Sequence, residues 1–428
     1  MPVLKQATLF AMEPESRAAT SATFVDNLRL PVHRWVRYSA GFSAEWAQSV
    51  IRESASRRTT RTFDPFAGSG TTLLAAEQVG VECCGMEAHP FVSRMAEAKL
   101  AWRSDPEAYR ALVKKIKTAA NDFTTDLDGY PKLIRECFDD ETLTTLDGLR
   151  QAVVRHDDNS PASKLAWLTL MACLRKTSHA GTAQWQYVLP KKSKSAPVPA
   201  DIAFDGMSRT IYRDMLGFAD RQSPTSWLVR GDARTCDGVS DRFANLVVTS
   251  PPYPNNFDYA DATRLEMSFF GELRSWSELQ SKVRCHLLRS CSQHVPESAI
   301  NLEAVLAEPV LEPIRAEITD VCQQLAEVRL TKGGKKTYHL MVACYFWDLA
   351  RVWLALRRVC DSPSDVCFVI GDSAPYGVYV PVIDWLGRLA VAAGFSHIRF
   401  ERLRDRNVKW KNRKHRVPLC EGRLWVKG

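Results

Sequence analysis

Between residues 61 and 100 the apolar positions fall into short runs, in the order Thr62-Phe63, DPFAGSGTT, LLAAEQV, VECCGM, Glu87 and a further helical stretch. That succession predicts a strand, a glycine turn, a helix, a strand ending on a carboxylate and a second helix, which is a βαβ unit. From Trp102 to about Thr225 the period becomes helical, as in YRALVKKIKTAANDF and SKLAWLTLMACLRK, and no segment alternates as a strand does. An inserted helical subdomain is expected there, ending on the Lys- and Pro-rich PKKSKSAPVP. Strand patterns return at Trp227-Leu228-Val229 and at NLVVT, a continuous apolar run that suits a central parallel strand covered on both faces and that leads directly into SPPY. A second insertion from about Leu273 to Lys336 holds the helical AEITDVCQQLAEVRL and ends in KGGKK. The remainder resumes an α/β rhythm: helix MVACYFWDLARVWLALRRV, strand VCFVIG, helix VIDWLGRLAVAAG, strand HIRFERL and strand RLWVK.

The expected division is a flexible leader at 1–24, poor in large apolar side chains, then a core in three pieces at 25–103, 226–272 and 338–428, with insertions at 104–225 and 273–337. At 428 residues and 45% hydrophobic the chain can bury two or three domains' worth of core, taking about 150 residues for each. The mean hydropathy of -0.23 and the lack of an apolar run of about 18 residues argue against a membrane span, and no charged-then-apolar leader opens the chain. A cytoplasmic protein is expected. Its 12 cysteines form no C-x-x-C pair and read as reduced thiols. The net charge of +8 is concentrated: residues 399–416 hold nine Arg and Lys against Glu401 and Asp405.

Two segments carry chemistry. In Asp64-Pro65-Phe66-Ala67-Gly68-Ser69-Gly70-Thr71-Thr72, the two glycines let the backbone bend after a strand and approach a ligand without a Cβ in the way. The following helix offers unpaired N–H groups. Glu87, at the end of the next strand, can accept hydrogen bonds from two ribose hydroxyls. A bare Gly-x-Gly is also an ordinary turn; the full nonapeptide in a strand-to-helix setting, with a carboxylate to follow, favours a nucleoside cofactor. The second segment is Ser250-Pro251-Pro252-Tyr253. An exocyclic amino group on a base is a poor nucleophile because its lone pair is delocalised into the ring. A side-chain acceptor, with a carbonyl held outward by two prolines, can take both amino protons and free the lone pair. The tyrosine offers a face for an extruded base. The alternative is a Pro-Pro turn leaving a strand.

With DPFAGSGTT followed by TSPPY, the chain resembles the DNA amino-methyltransferases, enzymes that methylate N4 of cytosine or N6 of adenine with S-adenosylmethionine. The resemblance spans about 28–100 and 227–428. It implies a Rossmann-like α/β fold, a mixed seven-stranded sheet with six parallel strands and one antiparallel strand, and helices on both faces. By the same likeness, Asp64 to Thr71 surround the cofactor, Glu87 and Ala88 take the ribose, and Asp232 with Ala233 in GDAR takes the adenine. Arg34-Trp35 and Phe42 in the Gly41-Phe42-Ser43 stretch resemble the segment at the methionine end. NNFDYADATRLE resembles a pocket-forming stretch, and Val369-Ile370-Gly371-Asp372 the fifth strand and its exit.

In that family a serine at the first catalytic position goes mostly with cytosine N4 and an aspartate with adenine N6, so Ser250 implies a cytosine-N4 enzyme. Adenine N6, an RNA base, or a catalytically silent DNA-binding partner are the alternatives. Flipping a base out of double-stranded DNA needs a positive surface on the backbone. Arg404, Arg406, Lys409, Trp410, Arg413, Lys414 and Arg416 are the first candidates, with Lys191 and Lys192; a solvated basic hairpin is the bland alternative. Gly231-Asp232-Ala233-Arg234, which resembles motif III of that family, lies too close to Ser250 for a recognition domain between them, so DNA reading is expected from one of the insertions, 104–225 or 273–337, or from the basic C-terminal segment, the first insertion being favoured as the larger. A cognate restriction endonuclease is an expected partner, and Gln6-Ala7-Thr8-Leu9-Phe10 resembles a sliding-clamp docking peptide. Cys285, His286, Cys291 and His294 match no common zinc spacing, and no metal is expected.

Overall fold

In a computed structural model the chain is described over residues 24–38, 41–183, 186–193, 196–217, 226–254, 257–333, 336–406 and 417–428. Nine strands are present among these residues: β1 Arg61–Asp64, β2 Glu82–Glu87, β3 Ala180–Thr182, β4 Val188–Ser193, β5 Trp227–Arg230, β6 Ala244–Thr249, β7 Cys360–Gly371, β8 Ser396–Asp405 and β9 Cys420–Lys427. Seven of them form one sheet in the order β5-β2-β1-β6-β7-β9-β8. Strands β5, β2, β1, β6 and β7 pair in parallel, and β9 runs antiparallel between β7 and β8. This is the Rossmann-like mixed sheet that the motifs implied.

The apolar runs are continuous because both faces are covered. Leu246, Val248, Cys367 and Val369 point to one face, where helices Ala44–Ala55 and Thr71–Val79 pack with Trp46, Ile51 and Leu73. Val247, Phe368 and Ile370 point to the other, against helices Tyr338–Val359 and Val382–Ala392. There Trp353 stacks on Phe368 with ring centres 4.3 Å apart. Helix Tyr338–Val359 is long and apolar enough to cross a membrane by composition, yet 83% of its apolar window is buried inside the fold.

The first insertion brings helices Pro106–Ala119, Asp140–Arg155, Pro161–Thr177 and Ala200–Leu216 together around Tyr109, Leu143, Leu168 and Phe204, in a cluster that continues into Trp35, Phe91 and Met95. Asp105, Asp139 and Ser160 cap the first three of these by accepting from backbone N–H groups. The insertion is not purely helical, as the periodicity had suggested: β3 and β4 form an antiparallel hairpin in it. Its strands escape detection because a three-residue strand is too short to alternate, and the second dissolves into Lys191, Lys192 and Ser193. The second insertion makes no separate core. Ile318, Cys322 and Leu325 of helix Arg315–Leu330 pack into the same cluster as helix Tyr338–Val359.

Candidate active site

Strand order reverses between β1 and β6, so the crevice beyond their carboxyl ends is where an open α/β sheet takes its ligand. A cleft holding about 700 Å³ of empty space, continuous with solvent, lies there. Pro65, Phe66 and Gly68 from the β1 turn, Glu87 and Ala88 from β2, Asp232 and Ala233, and Ser250 and Pro252 from beyond β6 all line it.

The β1 turn is shaped by backbone that L side chains avoid: Gly68 has φ +53° and Gly70 φ +83°. A Cβ on Gly68 would come within 3.0 Å of the Tyr38 ring, so this glycine also keeps the cleft floor open. Behind the turn, Asp64 is buried and does not line the cleft. Its carboxylate accepts from Thr72 Oγ1 and Thr249 Oγ1, both at 2.6 Å, and from the Phe66 N–H at 3.0 Å. Asp64 thus ties the glycine turn to the end of β6; burial raises its carboxyl to about 6 although all three hydrogen bonds favour the ionised form. Lys99 supports the turn from beneath, donating to the Ser69 carbonyl at 2.7 Å. Burial lowers its ammonium to about 7.

Glu87 sits at the cleft with each oxygen engaged by backbone: Gly68 N–H and His89 N–H both donate at 2.8 Å. Burial pushes its carboxyl to about 7, against those donors, and the charge of Asp64 adds to the rise. Tyr38 and Tyr259 stand over it, their phenols pushed up by burial and by the Glu87 charge. Asp232, expected on the adenine, is engaged by Arg234 Nε at 2.8–2.9 Å, and Arg234 leans on the buried Asp348, which also binds Arg289 of the second insertion. At the far end, the Ser250 hydroxyl donates to the Val369 carbonyl at 3.1 Å. That bond directs its proton to β7, and the Tyr253 phenol lies within hydrogen-bond reach of the same hydroxyl.

Several expected residues lie elsewhere. Arg34 Nε and Trp35 Nε1 bind Asp214 at 3.1 and 2.8 Å, and the Val32 N–H joins them at 3.2 Å. That segment docks on the first insertion, because a buried carboxylate there needs donors, and neither side chain lines the cleft. Phe42 packs edge-on against Trp46 in the core, and Ala67, Ser69, Gly70 and Thr71 are buried behind the turn. Pro251 is buried beside Ser250, and Tyr253 packs just outside the cleft lining. Arg404 pairs with Glu421 at 2.8 Å and Arg406 turns inward, so neither presents an unengaged guanidinium to DNA; Lys191 and Lys192 are exposed on β4. Lys409, Trp410, Arg413, Lys414, Arg416 and the Gln6–Phe10 peptide lie outside the described residues. No cluster of metal-ligating side chains occurs among the described residues.

The sequence pattern missed Tyr38, His89, Arg234, His286, Leu287 and Leu288, all of which line the cleft. His89 caps helix Pro90–Leu100 through Nδ1 and meets Thr263 Oγ1 at 3.0 Å; burial holds it neutral, lowered to about 3. His286 to Leu288 come from the second insertion, where nothing in the local pattern signals a cleft wall.

Strand order and cleft position are those of a Rossmann-like α/β fold of the methyltransferase kind. The sequence profile of the DNA methylase family matches residues 16–98, which include the β1 turn and Glu87. Two type II methyltransferases are similar over most of the chain. M.BsoBI of Geobacillus stearothermophilus is 24% identical over 92% of this chain and 84% of its own length. M.AvaI of Nostoc sp. (strain PCC 7120) is 21% identical over 89% of this chain and 83% of its own. No solved structure matches the chain. The chain is thus similar to the DNA methylase family around the β1 turn and to type II methyltransferases along most of its length.

Proposed function

We propose that this protein methylates the N4 amino group of cytosine in double-stranded DNA at a specific site, using S-adenosylmethionine and flipping the base, within a cytoplasmic restriction-modification or phage-defence system. One observation carries the proposal: Ser250 and Pro252, at the tip of β6, face the same cleft as Gly68 and Glu87. The pocket suits such a cofactor. Its floor is a glycine turn that a Cβ would obstruct, and carboxylates stand at two points where a nucleoside has hydroxyl and amino donors. Glu87 and Ala88 would hold the ribose, Asp232 and Ala233 the adenine, and Pro65 to Gly68 the sulfur end. When bound, the cofactor supplies a methyl carbon on a sulfonium that leaves as a thioether.

The chain's own residues prepare the base. The Ser250 oxygen, its proton given to Val369, accepts one amino hydrogen, and the backbone carbonyl fixed by Pro251 and Pro252 accepts the other. The lone pair is freed for in-line attack, and the nitrogen sheds a proton to solvent. The Tyr253 ring is the stacking face. Lys191, Lys192 and the basic segment to Arg416 are the proposed backbone contacts. A partner nuclease, and a clamp contact through Gln6–Phe10, belong to the same proposal. Expression in a methylation-free host, with chromatography of the DNA nucleosides, tests it. N4-methylcytosine is expected, N6-methyladenine would transfer the assignment to adenine, and unmodified DNA would end it.

A further inference from the structure

The face of Tyr253 is already covered. The Arg406 guanidinium carbon stands 4.8 Å from the Tyr253 ring centre, at cation–π distance. Arg406 follows the end of β8, its N–H donating to the Leu419 carbonyl at 2.8 Å and its Nη1 to the Asp372 carbonyl at 2.6 Å. Its Nε lies 3.8 Å from Glu421, and its side chain is only 14% exposed. The lane it crosses is kept clear by Gly371 at the end of β7, where a Cβ would come within 2.8 Å of Arg406 Cδ. A base between the two planes needs them about 7 Å apart, twice the ~3.5 Å contact spacing, so tyrosine, base and arginine cannot stack in this arrangement. Beside them Tyr345, fully buried, has a hydroxyl with no hydrogen-bond partner, within electrostatic reach of Tyr253, Tyr259 and Arg406. A buried hydroxyl left unmet is a polar contact held ready for a ring that has donors and acceptors of its own.

We propose that Arg406 fills the base slot of the DNA-free enzyme, stacked on Tyr253 in place of the flipped base, and swings out to admit it. This rests on Tyr253 being the stacking face of the proposed methyltransferase. A guanidinium suits the task because it is planar like a base and because phosphates draw it out. Leaving gives up the bond to the Asp372 carbonyl, the ion pair with Glu421 and the ring contact, and phosphate oxygens take their place. The chain continues from Arg406 into 407–416, where five further Lys and Arg follow in sequence. The same polyanion that delivers the base therefore unlocks the slot, and an apolar plug would have no such release.

The test uses the full chain and free 5-fluorocytosine as probe, followed by fluorine NMR. Arg406→Ala should show saturable line broadening, with affinity at least tenfold above wild type. Arg406→Met, which keeps the slot filled without charge, should stay as weak as wild type. Equal binding by all three proteins, or none by Arg406→Ala, overturns the assignment; Arg406→Ser replaces the alanine variant if that one does not fold. Calorimetry with S-adenosylhomocysteine on wild type separates the two claims. Cofactor binding without base uptake sinks the Arg406 assignment alone, and base uptake without cofactor binding sinks the methyltransferase proposal alone.

Discussion

Glu87 gives the sharpest test of the cofactor pocket, because its carboxyl is poised at about 7 and both its oxygens face donors. Only the carboxylate can hold the Gly68 and His89 N–H groups and also accept ribose hydroxyls; the protonated acid puts a donor where acceptors are needed. Cofactor affinity should therefore rise with pH up to neutrality and level off above it. At pH 6 about one tenth of the molecules carry the carboxylate, so binding should be about tenfold weaker, ~1.4 kcal/mol, than on the plateau. Glu87→Gln keeps the shape but turns an amide N–H toward a backbone N–H. It should lose about 10- to 100-fold in affinity, the worth of one charge-assisted hydrogen bond, and lose the pH dependence with it. Calorimetric titration of S-adenosylhomocysteine from pH 5.5 to 8.5 measures both. Asp64, at about 6, titrates nearby but behind the turn, and Glu87→Gln leaves its share visible. A flat wild-type profile, or a glutamine variant that binds as well as wild type, would refute the ribose role.

Ser250→Ala should bind S-adenosylhomocysteine normally and lose methyl transfer at least a hundredfold, measured as tritium incorporation into DNA; undiminished transfer would remove the amino-acceptor role. Asp64 is easier to protonate in the folded chain than in the unfolded one, so its contribution favours folding at low pH and fades as pH rises from about 4 to about 6, by ~3 kcal/mol. Denaturant melts of Asp64→Asn should show that slope flattened, and an unchanged slope would mean that the carboxyl is not neutral when buried. Asp214→Ala leaves the Val32 N–H and the Trp35 indole without their acceptor and should cost about 2 kcal/mol. Hydrogen exchange should quicken around Val32 to Trp35 with cofactor affinity held, and a tenfold loss of affinity would return Arg34 and Trp35 to the cofactor site.

The parts of the fold that periodicity revealed are those whose burial is two-sided or amphipathic. NLVVT reads as a central strand because Val247 and Val248 must satisfy opposite cores, and Glu87 stands out because a carboxylate after an apolar strand has no packing reason to be there. Gly68 was legible for its backbone freedom, which the turn uses at φ +53°. What stayed hidden depends on partners far along the chain. The RW pair looked like a cofactor segment, but its destination is set by Asp214, 180 residues away. Nothing local to CHLL announces that Leu287 and Leu288 will wall the cleft. The basic run read as a phosphate track, and Glu421, in the next strand, redirects Arg404.

The insertions are wired into the site rather than hung on it. Asp258, five residues beyond Tyr253, accepts from Arg284 at 2.6 Å and from His294 at 3.2 Å, both in the second insertion. Burial opposes the charge, yet those two donors hold its carboxyl down at about 2. Its N–H donates to Tyr187 of the first insertion at 2.7 Å, and its other contact caps the short helix that begins at Tyr259. Arg175, also from the first insertion, binds Glu266 and the Ala262 carbonyl on the same stretch. One segment that follows SPPY and bears the cleft tyrosine is thus clamped from both sides. Each insertion reaches that segment through an ion pair of its own, Arg284–Asp258 from the second and Arg175–Glu266 from the first.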